Sequence, residues 1–125
     1  MLCVNRCQID YVDEGRSRMA SLLAAYRAVA DAKAKRIEAF EPLFFNHLVV
    51  ALEGCFVHRA RGIEGKDGNP LNEVRRLCRA ILQNQSVLAA KSITKLEIGQ
   101  EIKLTEAEFA RLAKAFFAEI KARFV

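Results

Sequence analysis

From Pro42 to about Ile63 the apolar side chains Phe44, Phe45, Leu48, Val49, Leu52, Cys55 and Phe56 recur so densely that, at about 100° per residue, they wrap more than half of an α-helix. A helix of this kind has no broad polar face to turn to water and needs cover on several sides. The segment is therefore predicted to lie at the centre of the fold, or to be buried in part by a second copy of the chain. Other chain segments have to be arranged around it.

Three further helices are legible around that centre. From Gly15 to about Ala39, Met19, Leu22, Leu23, Tyr26, Val29, Ala30 and Ile37 recur at spacings of three and four among charged residues, the pattern of an amphipathic helix. Pro42 suits the first turn of the next helix and disfavours helical geometry at Glu41. Asn69 and Pro70 open a third helix, as a cap and a first helical residue, with Leu71, Val74, Leu77, Cys78, Ile81 and Leu82 as its stripe and an end near Asn84. Thr105 and Glu108 form a capping box for a last helix that carries Phe109, Leu112, Ala113, Phe116, Phe117 and Ile120 on one face. Between the third and fourth helices, Ile93, Leu96 and Ile98 before Gly99 and Ile102 and Leu104 after it alternate around a turn, which predicts a short β-hairpin over 92–104. The expected architecture is all-α, a four-helix bundle in one domain spanning residues 1–125, with residues 1–14 as a flexible N-terminal segment.

At 125 residues, with 52% apolar and 28% charged side chains, the chain can bury a core without disulfides and lies far from the signature of disorder. Its most apolar run, Leu43 to Val57, is interrupted by Asn46, His47 and Glu53, so no stretch of about 18 apolar residues predicts a membrane span. The first residues lack a secretory apolar core, which points to a reducing, cytoplasmic setting with Cys3, Cys7, Cys55 and Cys78 as thiols. A net charge of +5 comes from 20 basic residues interleaved with 15 acids. That diffuse basicity, without stacking aromatics in basic runs, disfavours a nucleic-acid partner.

The polar residues concentrate in one corner, Phe56 to Asn72. On the second helix, which is expected to run to about Ile63, Asn46, His47, Glu53, Gly54, His58 and Arg61 share the only polar stripe, a solvated face or one wall of a cleft. His47 and His58 would then be about 16 Å apart along the axis, too far to bind one metal. Cys3, Cys7, Cys55 and His58 could in principle supply three sulfurs and a nitrogen, but Cys on apolar faces ordinarily packs as a small hydrophobe, and no metal, cofactor or catalytic set is assigned. A Cys55–His58 nucleophile pair lacks a third residue to orient the base.

Arg59 falls within the apolar arc and, if buried, needs partners; Asp67, Glu73 and the last carbonyls of the second helix are in reach. The leading structural expectation is a latch centred on Arg59 that holds the loop in place, against an Arg59 that snorkels out from the helix end. Gly62, Gly65 and Gly68 are free to adopt positive φ, and Asp67-Gly68 is a turn pair. Arg59, Arg61, Lys66, Arg75 and Arg76 near the start of a helix suit an anion, whereas Glu64, Asp67 and Glu73 oppose one. The candidate ligand-binding residues are His47, His58, Arg59, Arg61, Lys66, Asp67 and Asn69.

The blocks VHRARGIEGKDGNPLNEVRRLC and LTEAEFARLAKAFFAEIKARF resemble segments of a group of small helical bacterial proteins, mainly actinobacterial. Members of that group often carry VHR-x-R-x-x-EGKDGNPLNEVR and LTE-x-x-F-x-x-L-x-x-AFFAEI. The similarity covers residues 40–124. The group has no established activity, so the resemblance implies no site.

The expected function is a non-enzymatic, self-associating interaction or scaffold module, a homodimer, because the second helix carries more apolar surface than three neighbours easily cover. The alternative is a protein or enzyme that binds a small anionic ligand, such as a nucleotide or phosphate, between the His47, Glu53, His58 stripe and the loop at Lys66 to Asn69.

Overall fold

The computed structural model describes residues 4–32, 38, 40–83 and 99–125. Five α-helices lie among them: α1 (Ile9–Ala32), α2 (Phe40–Cys55), α3 (Arg61–Glu64), α4 (Pro70–Gln83) and α5 (Glu106–Phe124). No strand occurs among the described residues, and an isolated parallel bridge joins Val4 to Arg59. The all-α reading holds. Of the expected hairpin over 92–104, residues 92–98 lie outside the described residues.

α2 is packed by α1, α4 and α5, and α5 in turn touches all four other helices. Phe45, Val49 and Leu52 are wholly buried within one chain, and Phe45 meets Tyr26 of α1 and Phe109 of α5 with ring centroids 4.7 and 5.7 Å apart. Phe56, Phe116 and Phe117 extend this aromatic core toward the polar corner. Each such ring buries a large apolar surface, and the tilted and edge-on pairings favour its quadrupole. Three neighbours thus suffice for the middle of α2, while Phe40 and Leu43 at its start stay 49% and 61% exposed.

The second helix does not run to Ile63. It stops at Cys55, and residues 56–60 turn before α3 begins. The N-terminal segment decides this: Val4 N–H donates to His58 O at 2.7 Å and Ala60 N–H donates to Val4 O at 2.7 Å. The backbone groups that would continue the helix are thereby satisfied from elsewhere. Cys7 N–H also donates to Phe124 O, 2.8 Å away, and Val12 is fully buried. Residues 4–14, expected as a flexible arm, are tied to the ends of α2 and α5, and α1 starts six residues before Gly15.

Both sequence caps are in place. Asn69 Oδ1 accepts from the N–H groups of Leu71 and Asn72 at 2.9 and 3.3 Å, and Thr105 Oγ1 accepts from Glu108 N–H at 3.2 Å. Of the three loop glycines, Gly65 (φ 76°) and Gly68 (φ 80°) take positive φ, while Gly62 sits inside α3. A Cβ on Gly65 would also come 3.3 Å from Arg123 Nη1. Gly65→Ala is expected to lose about 1–3 kcal/mol for the backbone alone, since φ 76° with ψ −174° is a region essentially confined to glycine. Gly62→Ala, whose Cβ meets nothing within 4 Å, is expected to be neutral or to gain up to about 1 kcal/mol. Urea titration of the two variants side by side measures the contrast.

Candidate functional site

The corner between α2, α3 and α4 is held by an ion-pair cluster in which both signs are buried. Arg59, 3% exposed, stacks its guanidinium over Phe116 at 5.4 Å from the ring centroid. Its Nε donates to Glu64 Oε1, Nη1 to Phe56 O at 2.9 Å, and Nη2 to Leu71 O at 3.1 Å. The latch centred on Arg59 is therefore present, fastened to the end of α2 and the start of α4. Glu64 and Glu53 are its carboxylate partners, whereas Asp67 is engaged by Asn69 and Arg123, because the turn after Cys55 aims Arg59 inward at α3 instead of outward at the loop tip.

Glu64 is the hub. Besides Arg59, it accepts from Arg75 Nε at 3.1 Å and Nη2 at 2.8 Å, and from Asn72 Nδ2 at 3.0 Å. Burial pushes its carboxyl up, but hydrogen bonding from Arg75 and the charges of Arg59 and Arg75 outweigh that and hold it below the usual carboxylate range. Glu53 behaves in the opposite way. Its Oε2 lies 3.0 Å from Arg59 Nη1 as an ion pair yet receives no hydrogen bond, and its Oε1 is 3.5 Å from Arg75. Burial therefore raises the Glu53 carboxyl, with Arg59 and Arg75 only partly offsetting it.

The loop is stitched by side chains. Asn69 Nδ2 donates to Glu64 O at 2.7 Å, Gly68 N–H donates to Asn72 Oδ1 at 3.0 Å, and Asp67 accepts from Asn69 and from Arg123 of α5. Hydrogen bonds from Asn69, then Arg123, lower the Asp67 carboxyl. Arg123 also reaches Glu64 O at 3.1 Å, so the end of α5 closes the corner.

The seven sequence candidates divide among four places. Arg59 and Asn69 are buried parts of the framework, and Asp67 is an exposed part of it. Arg61 and Lys66 are exposed and line a concavity of about 220 Å³ together with Gly65, Arg75 and Arg79. His58 lines another cavity of about 330 Å³, with Cys7, Tyr11 and Cys55. There Tyr11 donates to Cys55 O, and burial raises the Cys7 thiol. His47 is exposed, with Nδ1 2.8 Å from Leu43 O of its own helix. The structure does not bring the two histidines and Glu53 into one cleft, because α2 ends between Glu53 and His58.

Among the described residues no group of three His, Cys, Asp or Glu side chains is placed to hold a metal ion; Cys3 lies outside them. No helix described is long and apolar enough to cross a membrane. Sequence reasoning missed Glu64, Asn72 and Arg123 as partners in this corner. A signal was present for Asn72, which lies three residues after the Asn69 cap and three before Arg75 on α4. Arg123 gave none, lying 56 residues from Asp67. No protein-family model, curated protein or solved structure matches the chain.

Proposed function

We propose that the protein is a non-catalytic interaction module that receives an acidic amphipathic helix of a partner protein along the seam of α1 and α5. One observation carries this reading: an apolar groove of about 500 Å³, floored by Met19, Leu23, Ala113 and Phe117 and edged by Arg16, Lys114 and Lys121. The two helices run antiparallel, since Asp13 pairs with Lys121 and Arg27 with Glu106. Its α5 wall runs from Ala110 to Lys121, about 16 Å of helix. That length matches three turns of a visiting helix whose apolar side chains recur at three and four. Ala20, Ala110 and Ala118 keep the seam shallow enough for close approach, and the cationic edges at Arg16 and Lys114 select acids on the visitor's flanks.

A labelled, Glu-flanked amphipathic model peptide tests this by fluorescence anisotropy. It is expected to bind saturably, to outcompete its Lys-flanked counterpart, and to lose about tenfold in affinity to Ala118→Glu, an exposed position. Equal binding of the two peptides, or indifference to Ala118→Glu, would sink the reading.

Self-association is the second reading, favoured by the exposed Phe40 and Leu43 at the start of α2. Light scattering on a sizing column reads it: a dimer at about 100 µM that Leu43→Glu disperses supports it, and a strict monomer removes it.

A further inference from the structure

We propose a separate binding site for a phosphate group, in the concavity between α3 and the first half of α4. It shares no lining residue with the α1–α5 groove. Its walls carry Arg61 from α3, Lys66 from the loop, and Arg75, Arg76 and Arg79 from α4. The acid among the lining residues is Glu64, whose side chain is wholly buried. Its charge is taken up from behind by Arg59 and from the side by Arg75 and Asn72. Glu53 pairs with the same two arginines. The inner quartet of Arg59, Arg75, Glu53 and Glu64 is thus neutral as a set, and Asp67 is engaged by Arg123. Of the acids that argue against an anion when read as sequence, Glu64 and Asp67 are engaged inside the framework, while the outer cations set the potential of the concavity.

Arg79 of α4 is exposed and presents a guanidinium fork, which matches phosphate oxygens better than a point charge does, while Arg75, one turn before it, is held by Glu64 and lines the wall. Arg61 stands across from them, its side chain 57% exposed and only 3.8 Å from Glu64, a long contact that leaves its head available to a second anion. The first amides of α4 do not serve, because Asn69 already caps those of Leu71 and Asn72; recognition rests on side chains. At about 220 Å³ the space is smaller than the roughly 300–1,000 Å³ that encloses a drug-sized ligand, so it takes a phosphate or diphosphate while the rest of the molecule stays outside.

Isothermal titration of the full chain with pyrophosphate, and with inorganic phosphate and sulfate at matched ionic strength, tests the site. Pyrophosphate is expected to bind saturably and more tightly than sulfate. Lys66→Ala and Arg79→Ala should each weaken it by about tenfold, with melting curves unchanged because both side chains are exposed. Arg111→Ala, an exposed cation on α5, should leave it unaltered. The proposal is overturned if no saturable binding occurs at millimolar pyrophosphate, if Arg111→Ala costs as much as Arg79→Ala, or if a single-stranded oligonucleotide binds while pyrophosphate does not compete with it.

Discussion

Arg59→Met is expected to lower stability by about 3–5 kcal/mol, a fall in melting temperature of roughly 10–20 °C for a chain of this size. Methionine fills much of the arginine stem's volume, so the loss measures the charge and its hydrogen bonds more than a cavity. Without the guanidinium, Glu53 keeps only Arg75 at 3.5 Å, and the carbonyls of Phe56 and Leu71 lose the donors at 2.9 and 3.1 Å. A buried charge stripped of its partner is far more costly than the intact pair is stabilising. Adding Glu53→Gln to Arg59→Met should therefore recover part of the loss, a non-additivity that thermal melts of the single and double variants report directly. An unchanged melting temperature for Arg59→Met would remove the latch.

Asn46→Ala is expected to cost about 2–4 kcal/mol, although this residue contacts neither candidate binding surface. Its Nδ2 donates to Ile102 O at 2.7 Å and its Oδ1 accepts from Leu104 N–H at 3.1 Å. One side chain of α2 thus satisfies the backbone of the segment that leads into α5, as a neighbouring strand would. With alanine there, two buried backbone groups lose their partners while Ile102 and Leu104 stay in the core. Urea unfolding measures the loss, and amide exchange at Leu104 should accelerate with it. A change below about 0.5 kcal/mol would mean that water replaces both bonds and that Asn46 is not a clamp.

The same two residues show how far the sequence could be read. The place of Arg59 among apolar neighbours favoured a buried latch over a snorkelling side chain, and that a buried arginine needs anions is elementary. Which anions it finds depended on where α2 stops, and that is set by Val4, more than fifty positions earlier, pairing its backbone with His58 and Ala60. Extending the helix to Ile63 put His58 and Arg61 on one stripe with Glu53, a cleft that a single turn at residues 56–58 dissolves. Asn46 served as a marker of a polar face and proved to be an interior clamp, because its partners lie 56 and 58 residues away.

Local chemistry was decided by neighbours in the chain. The apolar crowding of α2 put its middle in the core. The Asn69-Pro70 and Thr105–Glu108 pairs fixed where α4 and α5 begin, since a cap acts within three residues. Gly65 and Gly68 took the positive φ that side chains resist. Only the tertiary structure decided which charges neutralise one another. Glu64 looks like an acid facing solvent beside Arg61 and Lys66 until Arg59, Asn72 and Arg75 close around it, and electrostatic energy depends on distance and burial rather than on order along the chain.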